Sequence, residues 1–241
     1  MEISQLPVRR VERSPSRSLA PGQWPLTIPA VAELLSDGLS LGPATVLVGE
    51  NGSGKSTIVE AIATAYGLQS SGGSRHALPE GDRLDASPLA GALQLVRGAG
   101  ASKWGFFLRA ETMYDWFGSQ VRDHAGPNLL TLSHGESFHH LLGSNRFQGP
   151  GLYLFDEPES ALSFTAQLSL IGQLHEIASS GVSQVILATH SPVLAALPGA
   201  RVLELGNWGM RESSWGELAI VDHHRRFLSS PQAYLRHIID P

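Results

Sequence analysis

A chain of 241 residues with 42% hydrophobic content is long enough to bury most of its unfolded surface as one globular domain, alone or with a subsidiary lobe. Seventeen Lys and Arg against 22 Asp and Glu leave a net charge of −5, so nucleic acid is not indicated as a partner by charge, and the local run Arg9, Arg10, Arg13 and Arg17 reads as a solvated edge. The absence of cysteine excludes disulfides, thiolate metal sites and cysteine nucleophiles; with no apolar run near the ~18 residues of a bilayer span and no signal-like h-region, the chain is expected to be cytoplasmic.

Residues 1–43 hold a β-like run at 8–11, a Pro- and Ser-rich break, and an apolar segment at 28–35 with the pattern of a short helix; they are expected at the edge of the sheet. Residues 44–48 (ATVLV) are continuously apolar, as in a buried strand. Residues 55–66 then place Ile58, Ala61, Ile62 and Ala65 at helical spacing before Gly67. The Gly-, Ser- and Pro-rich stretch 70–100 reads as a partly flexible insertion broken by a strand at 93–96, followed by an aromatic strand at 103–109 and a helix at 112–124. Beyond these come a strand at 151–155, a helix at 160–179, strands at 184–188 and 201–205, and a last helix within 224–239. Such alternation predicts an α/β fold, a mostly parallel sheet flanked by helices.

The chemistry is concentrated at four places. Gly49-Glu50-Asn51-Gly52-Ser53-Gly54-Lys55-Ser56-Thr57 lies between the first apolar strand and the first long helix, the setting of a P-loop. Its glycines let successive N–H groups of Glu50 to Thr57 turn toward a nucleoside triphosphate such as ATP, Lys55 adds a cation, and Ser56 offers a hydroxyl to Mg²⁺. The helix N-terminus contributes positive charge at the same point. Leu152-Tyr153-Leu154-Phe155-Asp156-Glu157-Pro158 sets two carboxylates at the carboxyl end of a buried strand, where ligands sit in open α/β sheets: Asp156 for Mg²⁺, Glu157 as general base. Ala188-Thr189-His190-Ser191-Pro192 puts an imidazole at the end of another strand, placed to bridge a γ-phosphate and the attacking water. Leu132-Ser133-His134-Gly135-Glu136-Ser137 reads as a helix start in which Ser133 caps or contacts phosphate and Gly135 permits close backbone approach.

In this order, GENGSGKST, LSHGES, LYLFDEPE with the following SALS, and ATHSP resemble the Walker A, signature, Walker B, D-loop and switch-histidine motifs of ABC-type P-loop ATPases. The resemblance implies a single ABC-like domain over residues 1–241 with a small helical lobe at about 110–145. It also implies an ATP-sandwiched homodimer in which the P-loop of one subunit faces Ser133 and Gly135 of the other. LSHGE in place of the transporter LSGGQ points toward the branch with RecF-, SMC- and OLD-like ATPases, and LRAE with YLRH resembles its compact stand-alone bacterial AAA/ABC-like members. The interval from Lys55 to Ser133 leaves no room for SMC-like coiled-coil arms, and the stretch after Pro192 is too short for a TOPRIM nuclease module. Glu111 stands where the family has its Q-loop glutamine, either as a Mg²⁺ or water contact or as a surface carboxylate. Two further readings stand beside the stand-alone ATPase: the ATP-binding subunit of a membrane transporter, with a membrane-protein partner, and an ATP-switched module acting on DNA or another protein. Trp24 is a candidate for stacking on adenine, with core packing or an exposed loop position as alternatives. The pairs His139-His140 and His223-His224 lack the carboxylate or cysteine scaffold of a metal site.

Overall fold

The structure, a computed structural model, describes residues 5–70, 72–74, 87–110, 147 and 149–239. In chain order the elements are β1 (Arg10–Arg13), α1 (Pro29–Asp37), β2 (Leu39–Ser40), β3 (Ala44–Gly49), α2 (Lys55–Tyr66), β4 (Gly73–Ser74), α3 (Pro88–Ala92), β5 (Leu93–Val96) and β6 (Gly105–Arg109). The second half supplies β7 (Leu152–Asp156), a 3-10 turn (Pro158–Ala161), α4 (Phe164–Ser179), β8 (Gln184–Thr189), β9 (Arg201–Gly206), β10 (Gly209–Glu212), α5 (Ala219–Ser229) and α6 (Pro231–Ile239).

The main sheet has seven strands in the order β10-β9-β3-β8-β7-β6-β4. Its five inner strands are parallel, and β10 and β4 close the two edges in antiparallel pairing. Because side chains alternate across a strand, each inner strand feeds two cores. Leu47, Phe107, Leu152, Leu154, Ile186 and Leu203 pack on the face covered by α1 and α2. Val46, Phe106, Tyr153, Phe155, Leu187 and Val202 pack on the other, against α4 and α5. Burial on both faces is why these strands read as continuous apolar runs.

Residues 8–11 were expected to lie at the edge of this sheet. Instead, β1 forms a separate antiparallel sheet in the order β2-β1-β5, whose Val11, Leu39 and Leu93 lie in the α2-side core. Apolar content places these residues inside but does not choose between two sheets. The last helix expected within 224–239 is α6, which Pro231 starts; α5 before it, at 219–229, was not expected from the sequence. The helix expected at 160–179 starts at Phe164, where the Ser163 hydroxyl accepts from Ala166 N; the four residues 158–161 form the 3-10 turn. The helix expected at 112–124 and the lobe expected at 110–145 lie outside the described residues, apart from Ala110, as do residues 71 and 75–86 of the insertion expected at 70–100.

The two sheets are joined by one buried amide. Gln184, fully buried at the start of β8, accepts from Val8 N (2.9 Å) and donates to Val8 O (2.7 Å) and Gly42 O (2.8 Å). A buried main-chain group left unpaired costs about 1–3 kcal/mol, so Gln184→Leu is expected to lower unfolding stability by roughly 2–4 kcal/mol in urea titrations, whereas Gln94→Leu at an exposed position of β5 changes it by under about 1 kcal/mol.

Candidate functional site

The loop after β3 takes its shape from backbone constraints. Gly54 has φ 101°, and a Cβ there would lie 2.7 Å from Ile28 Cγ2, so glycine is required both by the dihedral and by the approach of the segment before α1. Ser53 N donates to Glu50 O at 3.2 Å, closing a turn over Asn51 and Gly52. Lys55, Ser56 and Thr57 form the first turn of α2, which no side chain caps, leaving a helix N-terminus suited to an anion. The Lys55 side chain is only 2% exposed. Its ammonium donates to the carbonyls of Gly49 (2.8 Å) and Glu50 (3.0 Å) and lies 3.4 Å from Glu157 Oε1.

Asp156 shares the parity of Leu152 and Leu154, hence the α2 side of the sheet. It is buried, and its Oδ2 lies 3.4 Å from Nε of Arg109, its register partner on β6. The same guanidinium donates to Glu60 Oε2 of α2 at 3.0 Å. Arg109 therefore ties the P-loop helix to the acidic strand end. Sequence reasoning passed over it, although its place as the last residue of a strand beside β7 is the signal that would have found it.

Glu157 has φ 48° and ψ 48°, the only left-handed non-glycine conformation among the described residues. Such a backbone costs about 1–2 kcal/mol. It is held there by its N–H, which donates to Ala188 O (3.0 Å), and by the contact with Lys55. His190 follows β8, and its Nδ1 lies 3.6 Å from Glu157 Oε1 and 3.4 Å from Glu159 Oε1. Lys55, Glu157 and His190, expected from the sequence to act together, thus converge at the ends of three adjacent parallel strands.

Glu159 is the second residue that sequence reasoning missed. Its side chain is 5% exposed, and one oxygen, Oε1, accepts from Thr189 Oγ1 (2.6 Å), His190 N (2.7 Å) and Ser191 N (3.1 Å). An acid directly after a proline in an exposed-looking turn gives no sequence sign of such burial.

Ser56 and Asp156 offer a hydroxyl and a carboxylate, hard oxygen donors that suit Mg²⁺, which keeps several waters and needs few protein ligands. The Lys55–Glu157 contact brings the start of α2 and the end of β7 together, so the donor set fits the ion. Ser133, Gly135 and Glu111 lie outside the described residues, as do His139 and His140. Trp24 is 55% exposed. His223 and His224 engage different partners, Tyr234 OH (3.3 Å) and Ile220 O (2.8 Å). A cavity of about 890 Å³ lies beside the loop crest at Glu50 to Ser53, walled by Trp208, Phe227 and Tyr234. Lys55, Asp156, Glu157 and His190 do not line it, so it is separate from the cluster above. Trp208 forms its wall because Gly206 lets the ring lie against the backbone, where a Cβ would be 2.6 Å from Cζ2.

Two family models match the chain: "AAA domain" over residues 39–87 and "AAA domain, putative AbiEii toxin, Type IV TA system" over residues 140–196. Among curated proteins, the chain is 30% identical to the aliphatic sulfonates import ATP-binding protein SsuB 2 of Mesorhizobium japonicum, over 84% of each chain. It is also 30% identical to SsuB 1 of Pseudomonas fluorescens, over 73% of this chain and 69% of that one. A 44% identical match to the ABC transporter G family member STR2 of Medicago truncatula spans 25% of this chain and only 8% of the plant protein. Among solved structures, the SMC head domain from Thermotoga maritima is similar at 16% identity and a TM-score of 0.43, covering 73% of this chain and 92% of that one.

The left-handed backbone at Glu157 can be separated from its carboxylate by two substitutions that both remove the side chain's charge. Glu157→Gly is expected to unfold with a stability about 1 kcal/mol above that of Glu157→Ala, because only glycine adopts φ 48° without steric cost. Equal midpoints in denaturant titrations would contradict the strain.

Proposed function

Since the chain belongs to the ABC-type P-loop ATPases, enzymes that bind ATP and hydrolyse it to ADP and phosphate, we propose that it does so with Mg²⁺ and as a head-to-tail homodimer enclosing two nucleotides. The observation that carries the assignment of roles is the convergence of Lys55, Glu157 and His190, with contacts of 3.4 and 3.6 Å through one Glu157 oxygen.

In this reading the N–H groups from Glu50 to Thr57 and the Lys55 ammonium bind the phosphates, with Lys55 exchanging its carbonyl partners for phosphate oxygens. Ser56 and Asp156 hold Mg²⁺, which when bound neutralises charge on the phosphates. Glu157 takes a proton from water as the water oxygen bonds to the γ-phosphorus and the bond to the ADP oxygen breaks. His190 positions the γ-phosphate and that water. Ser133 and Gly135 act on the nucleotide held by the partner copy, within a single domain whose helical lobe lies at about 110–145. Arg109, bridging Asp156 and Glu60, keeps the metal carboxylate oriented.

The similarity to SsuB proteins, named as import ATP-binding proteins, favours one second reading, in which the chain is the ATP-binding subunit of a membrane importer at the cytoplasmic face. No helix among the described residues is long and apolar enough to cross a membrane, so a separate membrane protein would supply the passage. Co-purification with such a protein, and stimulation of turnover by it, would select this reading over the stand-alone ATPase.

Glu157→Gln is expected to keep Mg·ATP binding, to accumulate a dimer visible by light scattering, and to lose at least about 100-fold in turnover. Lys55→Ala should lose nucleotide binding altogether. Wild-type phosphate release should rise faster than linearly with protein concentration. Turnover in Glu157→Gln equal to that of the wild type would remove the base assignment, and strictly linear turnover from a monomer would remove the dimer.

A further inference from the structure

We infer that Glu159 is the positioning residue of His190, so that the 3-10 turn after the acidic strand sets the geometry of the γ-phosphate site. The inference rests on the reading of His190 given above.

Glu159 is buried and reaches across from Pro158–Ala161 to the segment after β8. Its Oε1 gathers the Thr189 hydroxyl and the main-chain N–H groups of His190 and Ser191, at 2.6, 2.7 and 3.1 Å. The two N–H groups are donors that a strand leaves unpaired where it ends, that of Ser191 being shared with Thr189 Oγ1 (2.9 Å), and charge-assisted hydrogen bonds to a carboxylate are about twice as strong as neutral ones. The same oxygen is 3.4 Å from His190 Nδ1, and the Glu157 oxygen is 3.6 Å from it. Both oxygens lie within ion-pair distance of the ring, and neither makes a hydrogen bond with Nδ1.

The anchor continues beyond His190. The Ser191 hydroxyl donates to Gln167 Oε1 of α4 (2.6 Å) and accepts from Val193 N and Leu194 N (3.1 and 3.3 Å). His190 is therefore fixed on its C-terminal side by α4 and on its own main chain by Glu159. Glu159 belongs to the turn that also carries the strained backbone of Glu157. The general base and the histidine are in this way referenced to one short turn, although they come from different strands.

The test uses steady-state ATP hydrolysis by the full chain, with binding of a non-hydrolysable ATP analogue measured in parallel. Glu159→Ala is expected to lower kcat at least tenfold, to about the level of His190→Ala, with analogue affinity and KM within about twofold of wild type. The double variant should be no slower than either single one, since both act through the same imidazole. Glu159→Gln retains a carbonyl acceptor for the two N–H groups and should recover most of the lost rate. Glu159→Asp, one methylene shorter and less prone to misfolding than the alanine variant, should lose rate without losing binding. Wild-type turnover in both Glu159→Ala and Glu159→Asp would overturn the inference. So would losses that multiply in the double variant, or a loss of affinity matching the loss of rate. Unchanged turnover in His190→Ala alone would instead remove the role of His190, and with it the ground of the present inference, while leaving the phosphate-binding loop untouched.

Discussion

Parallel pairing of β3, β8 and β7 is the constraint on which the site depends. Parallel neighbours end at the same edge of the sheet, so the loops after Gly49, Thr189 and Asp156 are side by side whatever their sequence separation. The register fixes more than proximity: Val48 lies opposite Thr189, and Asp156 opposite Ala188. Alternation along each strand then decides which side chains turn toward α2. Asp156 inherits the direction of Leu152 and Leu154, and the apolar residues beneath thereby aim its carboxylate.

Within that frame, electrostatics arranges the details. Lys55 is buried but not bare: two loop carbonyls and a carboxylate surround its ammonium, as burial of a charge requires. The Glu157 carboxylate lies between that cation and an imidazole, and reaches this place only through an unfavourable backbone conformation. Strain held by its surroundings is common where a group must face a reacting centre. The buried Glu159 meets the same imidazole from the other side, its Oε1 accepting from the Thr189 hydroxyl and from the N–H groups of His190 and Ser191, while its Oε2 has no hydrogen-bond partner among the described residues. Through Oε1 it shapes the main chain that carries His190.

The central strands and the P-loop were legible because local rules decide them. Four or five consecutive apolar residues ending at glycine or paired acids leave few options, and α2 runs from Lys55 to Tyr66 as its spacing dictates. What escaped were relations between distant segments. The assignment of β1 to a second sheet depends on β5, and the contact of Arg109 with Asp156 depends on which strand lies beside β7. Glu159 could not be distinguished from an exposed acid without knowing that Thr189, His190 and Ser191 end a strand above it. β10 was missed because a four-residue strand at a sheet edge, half exposed, has no apolar run to announce it. Pro231 is different, since its effect is local and its signal was present in the chain.

The place of β3 in the sheet has a consequence for the order of assembly. Both of its hydrogen-bonded neighbours, β8 and β9, come from residues 184–206. A growing chain carrying the complete P-loop thus holds an apolar strand with neither of its neighbours until residues 184–206 have emerged. Contacts this distant in sequence form slowly and leave apolar surface open in the meantime. Nucleotide binding, built on the loop that β3 supports, is then a property acquired only once β8 and β9 are made, and all at once, so that a truncated chain retaining the P-loop but lacking those two strands would be an aggregation hazard rather than a partial enzyme.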